Sequence, residues 1–143
     1  MIALAPLSAE RARRIVAGEF DGLDHVEGWP HEDTRDGLRL AEGGARVWLV
    51  EDDGVVIGDC GTTGPLDREV EIGFGLAAEC RGRGHGTEVV RLLTEALCAE
   101  PDVERIVAHT LTGNVASQRV LEKAGFALDS VRNGTAGYAR RAD

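Results

Sequence analysis

The residues best suited to chemistry crowd into one stretch of the chain, Glu71-Ile72-Gly73-Phe74-Gly75-Leu76-Ala77-Ala78-Glu79-Cys80-Arg81-Gly82-Arg83-Gly84-His85-Gly86. Five of the 19 glycines lie between Gly73 and Gly86. In its second half they alternate with Arg81, Arg83 and His85, and Thr87 then opens an amphipathic segment. Glycines at a strand-to-helix junction let successive backbone N–H groups converge on one concavity, and the helix N-terminus adds partial positive charge. With two arginines alongside, this describes a site for a pyrophosphate or a similar dianion. The plainer reading, a tight turn with no ligand, stays open on the loop alone.

Several other chemistries are excluded directly. No Gly-x-x-x-x-Gly-Lys-Ser/Thr occurs, so there is no P-loop. Gly73-Phe74-Gly75-Leu76-Ala77-Ala78 fits the loose dinucleotide-binding pattern, but its glycines fall inside a predicted strand, and helix interior replaces the acidic residue expected about 20 positions on. His25, His31, His85 and His109 form no His-x-x-x-His and the cysteines no Cys-x-x-Cys, so no metal site is expected. There is no Gly-x-Ser-x-Gly elbow for a serine nucleophile. Cys60, Cys80 and Cys98 are odd in number and unrelated in spacing, which argues against a disulfide framework. Cys80, beside Arg81, reads as a packing residue, and His85 is given no catalytic role.

The elements that must position these residues follow from apolar periodicity. Ser8 can cap a helix bearing Ala9, Ala12, Ile15 and Val16 on one side. Residues 19–42 read as glycine-punctuated helices and loops, broken at Trp29-Pro30, with a helix near 33–41. Residues 46–50 and 55–60 form a hairpin around Asp52-Asp53-Gly54, and 69–76 is a third strand. A helix over 86–99 carries Val89, Val90, Leu93, Ala96 and Leu97 on its apolar face and stops at Pro101. Residues 103–110 form a β-branched strand, and Asn114 opens a shorter helix that closes at Gly125. The last two strands, 126–131 and 136–140, flank Asn133-Gly134, a strong hairpin-turn signal. The expectation is one α/β (α+β) domain over 1–143. It has a helical part over 1–45, and a mixed, mostly antiparallel central sheet with helices on both faces.

The second motif, Thr112-Gly113-Asn114-Val115-Ala116-Ser117 running to Lys123-Ala124-Gly125-Phe126, lies one strand beyond the glycine loop. In that order and spacing, the strand ending in Gly75-Leu76, the Arg-x-x-Gly-x-Gly loop and the Asn-x-x-Ser helix resemble the GNAT superfamily of acetyl-CoA-dependent N-acetyltransferases. The resemblance covers about residues 46–131 and is closest to the branch that acetylates ribosomal-protein N-terminal alanines. It implies that residues 46–143 hold acetyl-CoA and that 1–45 build the acceptor side. Backbone amides from Arg81 through Gly82, Arg83, Gly84, His85 and Gly86 to Thr87 would hold the coenzyme A pyrophosphate. The strand end at Phe74, Gly75 and Leu76 would pair with the pantetheine arm and offer an N–H to the thioester oxygen. Asn114 would contact the cofactor, although helix capping alone also explains it.

By the same resemblance Glu71 stands where several family members place a catalytic base, with Glu69 two residues earlier on the same face. Glu69 reads instead as a partner for an arginine across the sheet, and Glu71 could be one too. Many family members use a tyrosine of the second motif's helix as the acid; here that helix has none, and Tyr138 falls on the last strand. Ser117 resembles the serine of the ribosomal branch, so Ser117, Tyr138 and water all stand as candidates.

Charge narrows the partners. Sixteen basic against 25 acidic residues give a net charge of −9, which disfavours a nucleic-acid backbone. Eight acids, Glu19, Asp21, Asp24, Glu27, Glu32, Asp33, Asp36 and Glu42, stand against Arg35 and Arg39 within residues 19–42. Such a rim would attract a cationic primary amine, such as a peptide N-terminus, a polyamine or an aminoglycoside; a solvated helix face is the plainer account. Trp29 could line the acceptor cleft or anchor its loop. The first residues lack a secretory leader and no run approaches a membrane span, so a cytoplasmic monomer or homodimer without membrane or nucleic-acid partners is expected. The function expected is acetyl transfer to a primary amine, the alternative being a silent acetyl-CoA-binding sensor of the same fold.

Overall fold

The computed structural model describes residues 1–142. Its centre is a seven-stranded sheet in the order β1-β2-β3-β4-β5-β7-β6. The strands are β1 (Ile2–Leu7), β2 (Arg46–Asp52), β3 (Val55–Leu66), β4 (Glu69–Leu76), β5 (Arg105–Leu111), β6 (Ala127–Arg132) and β7 (Thr135–Arg141). Only β4 and β5 pair in parallel; the other neighbours are antiparallel. The helices are α1 (Ala9–Val16), α2 (Thr34–Arg39), α3 (His85–Cys98) and α4 (Val115–Lys123).

Residues 1–45 are not wholly helical. Ile2–Leu7 is a strand laid antiparallel along β2, from Ile2 opposite Asp52 to Leu7 opposite Val47. It is short and contains Pro6, which cannot donate to a ladder. An edge position tolerates that, and β1 is an edge.

Elsewhere local signals hold. Ser8 accepts from the Arg11 N–H, while Ala12 and Ile15 are buried. Val89, Val90, Leu93 and Leu97 form the buried stripe of α3, with Thr94 in place of the exposed Ala96. Gly125 adopts φ +92° just after α4, and Asn133-Gly134 both take positive φ in the β6–β7 turn.

Residues directly opposite in the β3–β4 ladder share a face. Asp59, Gly61 and Thr63 on β3 therefore lie beside Gly75, Gly73 and Glu71 on β4. The first turn of α2 sits over that face, its Thr34 hydroxyl donating to Asp59 at 2.7 Å. Val70 and Ile72, both buried, project to the other face. That face is covered by α3 and α4, which pack together with Gly86 against Val120.

Candidate active site

The β4–β5 ladder ends early. Glu69 to Ile72 pair with Arg105 to Ala108, but Gly73 to Leu76 have no partner in β5, which runs on against β7. The strands thus splay and leave one edge of β4 open. Which groups it presents follows from two bonds. The Ala77 N–H donates to the Ile57 carbonyl at 2.8 Å, so residue 77 points its N–H toward β3. A residue in a strand directs its N–H and C=O to the same side, and successive residues alternate. Leu76 and Phe74 therefore present theirs to the open edge. The Leu76 carbonyl is already taken by the Arg81 Nε–H at 3.1 Å. That leaves the N–H groups of Phe74 and Leu76 as donors to an extended ligand.

Beyond the strand end, a 3-10 turn at Ala78–Cys80 leads into Arg81-Gly82-Arg83-Gly84. Gly84 caps α3 at φ +81° with no side chain to fill the helix end, and the first backbone bond in the helix is Glu88 N–H to Gly84 C=O. The amides of Gly84 to Thr87 have no intrahelical acceptor, as at any helix N-terminus. A Cβ at Gly82 or Gly84 would meet no heavy atom within 4 Å, so the space beside both glycines is open. Arg83 is exposed beside it, whereas Arg81 spends its Nε–H on Leu76. His85 is half-buried, its Nε2 lying 3.9 Å from Asp52.

Asn114 caps α4 by accepting from the Ser117 N–H at 3.1 Å, so the capping geometry is realised. Ser117 lies in the first turn of α4. Tyr138 is buried on β7 on the same side of the sheet, its hydroxyl 3.4 Å from Gln118.

Glu71 occupies the other face. Its carboxylate lies 3.2 Å from Nδ1 of His109, both about half exposed. His109 is the partner that sequence reasoning missed, because only the β4–β5 register brings it there. Glu69 instead bonds Arg105 at 2.9 Å, as its cross-sheet reading anticipates. Burial pushes the thiols of Cys60 and Cys80 up in pKa, which leaves both as packing residues.

A cavity of about 410 Å³ lies over the glycine-floored face. Gly61, Gly73 and Gly75 form its floor, and Asp33, Asp36, Asp59 and Glu71 supply carboxylates; no lysine or arginine lines it. Trp29 is buried beneath, donating its indole N–H to Asp59 at 3.0 Å, so it anchors the loop rather than lining the cavity. Glu79 accepts from the Gly28 N–H at 2.9 Å and ties the same loop to the end of β4.

A model of the acetyltransferase (GNAT) domain matches residues 3–127. The chain belongs to the GNAT acetyltransferase family. Relatives agree with that assignment. The uncharacterized N-acetyltransferase YjdG of Bacillus subtilis (strain 168) is 30% identical over 118 residues, covering 78% of this chain and 69% of that protein. The probable N-acetyltransferase YjcK of the same organism is 40% identical over 60 residues, 42% of this chain and 33% of that one. Among solved structures, aminoglycoside acetyltransferase AAC(6')-Ib in complex with coenzyme A superposes with a TM-score of 0.72 at 23% identity, covering 99% of this chain and 95% of that one. A chimera of spermidine N-acetyltransferase SpeG from Vibrio cholerae and hSSAT gives 0.69 at 17%, with the same coverage. At those identities the likeness is one of fold. This GNAT enzyme takes its acetyl group from acetyl-CoA, and its β4 edge is left open ahead of the N-terminus of α3. Among the described residues no cluster of His, Cys, Asp or Glu could hold a metal ion, and no helix is long and apolar enough to cross a membrane.

Proposed function

We propose that this GNAT enzyme transfers the acetyl group of acetyl-CoA directly to a primary amine of a cationic acceptor. The observation that carries this reading is the cavity beside the open β4 edge, whose lining holds four carboxylates and no lysine or arginine. An ammonium-bearing molecule would be drawn there, and its amine would meet the splayed strand from the α2 side. The family relatives do not single out the ribosomal-protein branch, so the acceptor is read from the cavity.

The Arg81 N–H is taken by the Ala78 carbonyl at 3.3 Å, so the amides from Gly82 to Thr87 would hold the pyrophosphate, with Asn114 at the start of α4 beside the pantetheine arm. The Phe74 and Leu76 N–H groups would bind the pantetheine and the thioester oxygen, where negative charge develops as the carbonyl is attacked. The amine nitrogen bonds to the carbonyl carbon and the C–S bond breaks. The amine's surplus proton passes to Glu71, directly or through a water, and the departing thiolate is protonated. A side-chain amine with an ordinary pKa near ~10.4 needs such a base more than an α-amine near ~7.7–8.0. Ser117, approaching from the α4 side while Glu71 approaches from the other, is assigned the acid.

If the carboxylate wall recruits the acceptor, kcat/KM for a polyamine or an aminoglycoside will exceed that for an uncharged-tail amine such as benzylamine. The gap will narrow as salt rises from 0.05 to 0.5 M, roughly a threefold fall in screening length. Equal kcat/KM for both classes at every salt concentration would refute a cation-selective acceptor site.

A further inference from the structure

His31 belongs to no role assigned so far, yet its ring is buried against the floor of the cavity. Its side chain is 7% exposed, and it lines the carboxylate-walled cavity beside Gly75. Nδ1 accepts the Asp33 N–H at 3.2 Å, which puts the ring proton on Nε2. Nε2 lies 3.3 Å from Oδ2 of Asp59, within ion-pair range but not aligned for a hydrogen bond, and it is buried without a hydrogen-bond partner. The ring lies directly on Gly75. A Cβ there would come within 2.8 Å of Cε1 and 2.9 Å of Nε2. Asp59, the cross-strand neighbour of Gly75, is itself fixed by Trp29 and Thr34.

This places His31 against a particular peptide. Residue 75 directs its carbonyl toward β3, and a trans peptide points its N–H the opposite way. The Gly75–Leu76 peptide therefore shows its carbonyl to the β3 side and its Leu76 N–H to the open edge. We propose that His31 is a positioning residue for acetyl transfer: wedged between Asp59 and the bare face of Gly75, it sets the height and tilt of the Gly75–Leu76 peptide whose N–H is presented to the thioester. It also joins the acceptor-side loop to that peptide, because Thr34 accepts the His31 N–H at 3.0 Å while donating to Asp59. The His31 backbone is thereby tied, through Thr34, to the same Asp59 carboxylate that its ring lies against. This rests on the acetyl-transfer reading above.

The test uses four variants of the full chain, His31→Gln, His31→Ala, Gly75→Ala, and His31→Ala combined with Gly75→Ala. His31→Gln should lower kcat roughly 10- to 100-fold, the loss expected when a reacting geometry shifts by about an ångström. The KM for the amine should change much less, which a general loss of structure would not reproduce. Gly75→Ala, which pushes the ring off its seat without altering it, should lower kcat similarly. The double variant should be no slower than His31→Ala alone, because the ring and the methyl compete for one space. A His31→Gln enzyme with wild-type kcat, or a double variant whose losses multiply, would overturn the proposal. Should His31→Gln fail to fold, Gly75→Ala and the double variant decide. If the wild type acetylated no amine in a broad panel, the acetyl-transfer reading would fall instead. Acetyl-CoA affinity by calorimetry would then judge His31, and an unchanged value in His31→Gln would overturn its role.

Discussion

Replacing Asp59 by alanine removes the carboxylate on which the short stretch from Trp29 to Thr34 converges. The Trp29 indole N–H at 3.0 Å, the Thr34 hydroxyl at 2.7 Å and the His31 ring at 3.3 Å all converge on one carboxylate oxygen. Trp29 and Thr34 are each 1% exposed, so water cannot easily take over their bonds. Leaving a buried donor unsatisfied costs about 1–3 kcal/mol. Two such donors and a displaced imidazole give a loss of roughly 3–6 kcal/mol, a large share of the ~5–15 kcal/mol that holds a typical domain together. Asp59→Asn keeps an acceptor oxygen and should lose roughly a third to a half of that. Urea unfolding followed by circular dichroism reads both, with the slope as a check that the same surface is exposed. The loss should be accompanied by weaker binding of the amine, because α2 and the loop before it wall the cavity. An Asp59→Ala protein within 1 kcal/mol of the wild type would show that the carboxylate does not organise this side of the sheet.

Three further outcomes are expected. Glu71→Gln should still bind acetyl-CoA but acetylate more slowly, with the deficit greatest below the amine's pKa; an unchanged pH–rate profile would remove Glu71 as base. Asn114→Ala should cost about 1 kcal/mol through the lost cap and also weaken acetyl-CoA binding; a stability loss with unchanged affinity would leave Asn114 as a cap only. Burial disfavours the His31 imidazolium, but Asp59 and the Gly75 backbone outweigh it and raise its pKa above the ordinary 6.5. Such a group stabilises fully below its unfolded pKa and loses that contribution as pH rises through the folded one. The stability gap between wild type and His31→Gln should therefore narrow as pH rises above 6.5; a gap flat with pH would mean that the Asp33 N–H bond keeps the ring neutral.

Features set by neighbours in sequence were legible beforehand. The α3 stripe, the Asn114 cap, Gly125 after α4 and the Asn133-Gly134 turn each depend on a few adjacent residues, and each stands where the pattern puts it. The glycines of β4 were also visible, but not their shared reason. Gly73 faces Gly61 and Gly75 faces Asp59 across the ladder, the three glycines together floor a cavity, and Gly75 carries the His31 ring. Such facts depend on register, which no local pattern specifies. The same limit hid the Glu71–His109 pair, since the parallel β4–β5 alignment brings together residues 38 positions apart. It also hid His31 against Asp59, which are separated by α2 and β2. The acidic run over 19–42 was legible as charge; only the fold shows that Asp33 and Asp36 face the cavity.

The most direct test of the central claim is a single reaction of purified wild-type protein with acetyl-CoA and a polyamine, an aminoglycoside or a peptide with a free N-terminus. Thiol release is followed while mass spectrometry reads the amine. Acetyl transfer predicts that at least one acceptor gains one acetyl group for each thiol released. Bound acetyl-CoA with neither thiol released nor amine acetylated, across all three classes, would contradict it.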